Sequence, residues 1–370
     1  MERLDELWRH QLDSGRIVGG VLLLAEEGEV RYASARGWAD REGRQAAQRD
    51  TVFRLASLTK LLTSVVTLRL AELQCVELDG PVHTWLPDFR PRLADGRRPD
   101  ISLHHLLSHT AGLGYGFEMA TANHYAQAGI SDGLDDVSFS LSENLRRLAE
   151  VPLLFEPGTR WRYSLATEVL GAVIEQASGL CLSQAVARWV TKPLGMRHTG
   201  FAYAAGLARP YKDAQGRPVP ISDHDQLVLD TGCAQVSACR ARRADAWPSA
   251  GAGLLGTADD YLRLLECLRL GGSPLLTPQS TALLTTDALK GLPMASRGQG
   301  WGFGLGPAVL TDRQAAGQRH ASGTWGWCGL YGCHYWVDPQ ARMSLVALTN
   351  TAVAGAWGAL ADSIVDAIYR

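Results

Sequence analysis

The stretch SLTKLLTSVVTLRL, residues 57–70, constrains the fold most. Placed on a helix, Leu61, Leu62, Val65, Val66, Leu68 and Leu70 fall on nearly every side. A helix that is apolar all round belongs inside a core. The chain must therefore supply layers to cover it from several directions. Its 370 residues suffice for one large domain or two intimately packed ones. Lys60 sits inside this segment, where a charged ammonium is costly unless it is paired or gives up its proton. The alternative is that it snorkels to the surface along its own stem.

The covering layers can be read at the two ends of the chain. IVGGVLLLAEEGEVRYASARGWAD reads as strand, turn at Glu27-Gly28, strand. LYGCHYWVDPQARMSLVALTN reads as two strands joined at Asp338-Pro339-Gln340, and GAWGALADSIVDAIYR as a closing helix. Between them, EVLGAVIEQASG has helical period with Gly179 as its C-cap. GTADDYLRLLECLRLGG reads as a helix opened by a Thr257/Asp260 capping box and ended by Gly271. The pattern predicts an α/β (α+β) fold: an antiparallel sheet from both termini, flanked by helices, with a mainly helical region inserted. The predicted boundaries are 1–84 with 291–370 for the sheet domain, and 85–290 for the helical domain over the active-site cleft.

Apolar residues make up 46% of the chain and charged residues 20%, so the chain is globular. A net charge of −2 gives no global pull towards nucleic acid or anionic membrane, and neither is expected as a partner. The basic clusters at Arg97–Arg98 and Arg240–Arg243 are expected in solvated loops. The N-terminus has no apolar signal-peptide core, and no run approaches 18 apolar residues. Seven cysteines at an odd count, without zinc-site spacing, read as free thiols in a cytoplasmic protein.

Three patterns imitate functional motifs. Gly129-Ile130-Ser131-Asp132-Gly133 matches a G-x-S-x-G elbow, but no strand precedes it and no helix follows. Gly251, Gly253 and Gly256 match G-x-G-x-x-G, yet Pro248 stands where a strand is needed, so these glycines are read as allowing close packing. His104, His105 and His109 offer an i, i+4 metal pair with no evident third ligand, and structural hydrogen bonds are the expected use. No metal or organic cofactor is required by the chemistry described next.

Ser57 and Lys60 stand three residues apart and share a helix face. Stripped of water, the Lys60 amine falls from its usual pKa and can accept the serine proton. Tyr163, in RYSLATEVLG just before a helix, can relay protons if a nearby cation favours its phenolate. The alternative for Tyr163 is an ordinary half-buried aromatic. GTWGWCGLYGCHYWVDP presents a glycine-rich strand, where a ligand or another backbone can come close. An amide there can join that of Ser57 as an oxyanion hole.

SLTK, LHHLLSHTAGL, RYSL, WPSAGAGLLGTADDYLRLL and GWCGLYGCHYWVDP together resemble the serine β-lactamase/penicillin-binding-protein superfamily, over about residues 15–368. The last stretch is most similar to the W-x-G third motif of family VIII carboxylesterases and lovastatin-type acyltransferases. The resemblance implies a β-lactamase/transpeptidase-like fold. It implies Ser57 as the acylated nucleophile, Lys60 as its partner and Tyr163 as the proton shuttle. The amides of Ser57 and Leu330 would form the oxyanion hole, and Trp327, Cys328 and Gly329 would be the substrate-binding third motif. His320, through HASG, is the second choice for that motif. The chain departs from the pattern at Leu165, where an asparagine is usual, at Cys328, and in lacking a third-motif lysine. The implied activity is a carboxylesterase-type serine hydrolase cleaving small to medium acyl esters. The alternatives are an acyltransferase of secondary metabolism, an amide or β-lactam hydrolase, and a non-enzymatic acyl-ligand binder. The partners are then a small-molecule ester or acyl donor and, for transfer, a small-molecule acceptor.

Overall fold

The computed structural model describes residues 2–119, 123–202, 206–214 and 216–369. Eight antiparallel strands form the main sheet among them. The N-terminal part supplies β1 (Gly19–Glu26), β2 (Glu29–Asp40) and β3 (Gln45–Ala46). The C-terminal part supplies β4 (Trp301–Phe303), β5 (Ala308–Leu310), β6 (Trp325–Gly329), β7 (Cys333–Asp338) and β8 (Met343–Thr349). Their spatial order is β4-β5-β6-β7-β8-β1-β2-β3. The two ends of the chain meet where β1 pairs with β8, from Gly20↔Thr349 to Glu26↔Met343. The sheet built from both termini is thus present as expected, as are both predicted turns.

Period-2 alternation distributes the apolar side chains of the central strands to two cores. Leu22 and Leu24 of β1, with Leu345 and Ala347 of β8, meet α1 (Glu2–Asp13) and α5 (Ala359–Ile368). Leu4, Trp8, Leu360 and Ile364 fill that layer. Val21, Leu23 and Ala25, with Val346 and Leu348, face the opposite core. Strands covered on both faces read as continuous apolar runs, which explains VLLLA.

The larger core contains α2 (Thr59–Glu72), the helix that is apolar all round. It packs on α3 (Ala166–Ser178), on Pro278–Thr285 and on Leu182–Val186. α4 (Ala258–Arg269), although it falls within 85–290, packs on β1 and β8. Its capping box is only half formed. Thr257 caps the Asp260 amide, but the Asp260 carboxylate accepts instead from the His198 amide at 2.7 Å and the Thr199 hydroxyl at 3.1 Å. The inserted region also carries two hairpins, Tyr211–Ala214 with Arg217–Pro220 and Asp225–Leu229 with Gly232–Val236.

Candidate active site

Ser57 lies on a single 3-10 turn, Ala56–Leu58, that feeds into α2. Ala56 has φ +46°, a left-handed conformation that side chains avoid. Such strain costs about 1–3 kcal/mol and persists only where the surroundings impose it. The Leu55 amide donates to the Leu254 carbonyl at 2.9 Å, and the Tyr261 hydroxyl holds the Leu58 carbonyl at 3.0 Å. The end of β6 presses on the same turn. A Cβ on Gly329 would lie 2.3 Å from the Leu55 carbonyl oxygen, so only glycine permits this approach.

Lys60 is 2% exposed, so it does not snorkel. Its Nζ donates to the Gly251 carbonyl at 2.9 Å and lies 3.3 Å from Ser57 Oγ. The rings of Tyr163 and Tyr115 stand 4.6 Å and 5.1 Å from it. Burial lowers its pKa to about 7, and the Glu168 carboxylate opposes that fall. Near neutrality this lysine can therefore exist as an amine.

Glu168, in the first turn of α3, is fully buried. Its carboxylate accepts from Ser249 Oγ at 2.6 Å, the Ala250 amide at 3.0 Å and the Gly251 amide at 2.9 Å. Burial raises its pKa, and these donors and the Lys60 charge pull the other way. The Gly251 peptide thus offers its N–H to Glu168 and its C=O to Lys60. A Cβ on Gly251 would stand 2.8 Å from Glu168 Oε1 and 3.0 Å from Tyr115 Oη. The close-packing reading of this glycine run holds, and the run belongs to the site. Sequence reasoning missed Glu168 and Tyr115. A usable signal for Glu168 was an acid inside the apolar ATEVLGAVI, the same oddity that marked Lys60.

Tyr163 is buried, and its hydroxyl accepts from Trp327 Nε1 at 3.2 Å. Hydrogen bonding to Ser57 favours the phenolate, but burial outweighs it and pushes the pKa well above the usual range. A phenolate is expected only where a nearby cation favours it, and here burial outweighs that effect and favours the phenol. His109 and Trp327 pack on its ring, at 4.9 Å and 5.1 Å. Leu165, where an amide was looked for, is fully buried, and its backbone amide donates to the Gly114 carbonyl at 3.1 Å.

These groups open onto a cleft of about 540 Å³. Ser57, Tyr163, Trp327, Cys328 and Leu330 line it, with Phe117 and Leu229 from the inserted region. Gly329 does not, because it is turned to the Leu55 carbonyl. Leu330 follows directly on β6, and Ser57 opens a helix, where amides have no intrahelical acceptor. Burial raises the pKa of the Cys328 thiol, against the opposing pull of the Arg297 and Lys60 charges.

The imitating motifs are engaged elsewhere. Ser131 is buried in a loop, where its hydroxyl bonds Asp135 and its amide donates to Asn144 Oδ1 at 2.8 Å. His105 completes a capping box with Ser102, while His109 lies beyond that helix and pairs with Ser164 Oγ at 3.1 Å. Among the described residues no group of three or more His, Cys, Asp or Glu is placed to hold a metal. Of the basic clusters, Arg97 is exposed with Asp95 and Glu156. Arg240 corrects the expectation of a solvated loop: it is buried and donates to the Asp135 and Trp247 carbonyls, both at 2.9 Å. The seven cysteines are free thiols. Among the described residues no single helix is long and apolar enough to cross a membrane.

A family model described as Beta-lactamase matches residues 4–367. Esterase EstB of Burkholderia gladioli is 45% identical over 372 aligned positions, covering 99% of this chain and 94% of that protein. Monacolin J acid methylbutanoyltransferase of Aspergillus terreus is 29% identical, covering 78% of this chain and 71% of that enzyme. Among solved structures, EstCE1, described as a hydrolase with promiscuous acyltransferase activity, superposes with a TM-score of 0.95 at 44% identity. That match covers 100% of this chain and 98% of the other.

Proposed function

This chain belongs to the beta-lactamase family, and from that premise we propose a carboxylesterase-type serine hydrolase that works through a Ser57 acyl-enzyme. One observation carries the assignment of residues: a buried amine, able to be neutral near pH 7, stands 3.3 Å from Ser57 Oγ. Ser57 Oγ attacks the ester carbonyl, and its proton passes to Lys60 Nζ. The Ser57 and Leu330 amides receive the developing oxyanion, an interaction whose loss typically costs about 100–1,000-fold in rate. As the tetrahedral intermediate collapses, the departing alkoxide takes the Tyr163 proton. The Lys60 ammonium restores that proton, which leaves a neutral amine, an alcohol and the acyl-enzyme. Water then attacks the acyl carbon and gives its proton to Lys60, which passes it to the departing Ser57 Oγ, so that the acid leaves and the serine and neutral amine are restored. Trp327 and Cys328 contribute to the substrate wall, with Gly329 setting the approach of the strand to Ser57. The substrates are small to medium acyl esters, in keeping with the cleft volume. Free thiols support a cytoplasmic location.

Incubation with p-nitrophenyl butyrate, followed by intact mass, tests the reading. Turnover with a butyryl adduct that disappears in Ser57→Ala is the expected result. Full activity in Ser57→Ala would overturn it. Acyl transfer is the second reading, favoured by the transferase among the relatives and the promiscuous transfer named for EstCE1. It differs only in the group that resolves the acyl-enzyme. The ratio of ester to acid formed when an alcohol is added separates the two.

A further inference from the structure

The end of the cleft beneath β6 and β7 is built differently from the region around Ser57. Arg297, an exposed side chain, stands on its wall with its guanidinium carbon 4.6 Å from the Trp301 ring centroid and 5.4 Å from that of Trp327. Both rings hold the planar cation by π contact, and it interacts electrostatically with Cys328, three residues past the start of β6. Among the described residues no carboxylate lies within ion-pair distance of it. In the same cleft, four buried side chains keep polar atoms without a partner: Thr324 Oγ1, Trp336 Nε1, His334 Nε2 and both ring nitrogens of His320. His320 packs edge-on to Trp336 with centroids 4.7 Å apart, and Arg297 acts electrostatically on both histidines. Buried polar groups are nearly always paired, so several orphans in one place call for a missing partner. An arginine without a carboxylate, beside N–H and O–H donors, calls for an anion with acceptor oxygens.

We propose that this end of the cleft is a subsite for a carboxylate carried by the ester substrate, with Arg297 as the residue that selects it. The inference rests on the esterase reading and narrows its substrate class. Three acids share the lining, and they do not fill the role of partner. Asp230 and Asp362 are exposed, burial pushes Glu118 up to about 7, and none of the three lies within ion-pair distance of Arg297. Among the described residues that line the cleft, Arg297 is also the one Arg or Lys.

Two pairs of esters test it, one for each side of the scissile bond. p-Nitrophenyl hydrogen glutarate is compared with p-nitrophenyl valerate, and p-carboxyphenyl butyrate with p-carbamoylphenyl butyrate. In at least one pair the anionic member is expected to have the higher kcat/KM. Arg297→Gln should lower that anionic-to-neutral ratio by about 10- to 100-fold, the usual worth of a charge-assisted bond, and Arg297→Lys should keep part of it. Calorimetry with p-butoxybenzoate and p-butoxybenzamide on Ser57→Ala protein, with and without Arg297→Gln, reads the subsite without turnover. Unchanged ratios in both pairs, with benzoate binding indifferent to Arg297, would overturn the inference. Arg297-dependent benzoate binding in a protein that turns over no ester would instead support the subsite and defeat the esterase reading.

Discussion

Around Lys60 the polar side chains are matched to one another. Glu168 takes three donors, the Gly251 peptide is used at both its N–H and its C=O, and Tyr163 receives Trp327. At the Arg297 end of the same cleft, Thr324, His320, His334 and Trp336 leave polar atoms unmatched, and the cation has aromatic rings for company. The first region is complete before any ligand arrives, which suits groups that must meet a transition state without reorganising. The second is completed by what binds there. Rate should therefore live in the first region and selectivity in the second.

The sharpest break of that division comes from Ser57→Ala, which should lower kcat by about 10,000-fold or more for every ester, because no acyl-enzyme can form. Lys60→Met should cost on the order of 100–10,000-fold, again irrespective of the ester. The melting temperature should fall as well, since the Gly251 carbonyl loses its donor and buried Glu168 its opposing charge. Tyr163→Phe follows at about 100-fold, with leaving groups of poorer acidity suffering more, as loss of a proton donor requires. A dependence of any of these three losses on acyl size would break the comparison.

Glu168→Gln is milder and reads a pH profile. The Lys60 amine is the active form, so kcat/KM should rise with pH through about 7 in the wild type. The Glu168 carboxylate raises the Lys60 pKa, so its removal should move that rising limb to lower pH. An unmoved limb with a merely lowered plateau would leave Glu168 a structural role only. The smallest effect is expected from Trp336→Phe, a less than tenfold change in KM that differs between esters while kcat holds. A uniform loss of kcat there would place chemistry in the outer region.

Most of the framework was readable because it follows from local rules. Strand alternation, the Glu27-Gly28 and Asp338-Pro339-Gln340 turns, and the Gly179 cap are each set by neighbours in the chain. The Ser57/Lys60 pair was readable for the same reason, one helical turn joining them. Glu168 was not, because its meaning depends on the Ser249–Gly251 turn, which is distant in sequence. Asp260 shows the converse: a local capping rule lost its carboxylate to His198 and Thr199. Arg240 and Arg297 look alike as letters in polar stretches. Only tertiary packing buries one against carbonyls and leaves the other between tryptophans.

The pairing of β1 with β8 also governs when this molecule comes into being. During synthesis the serine and lysine emerge early, yet β1 has no outer neighbour on that side, and the Ser57 turn no glycine strand to brace it, until the last strands leave the ribosome. A chain halted before Trp325 would hold the reactive pair with neither support. Competence should therefore switch on late and all at once, and a nonsense mutation near the end of the gene should be as damaging as one near its start.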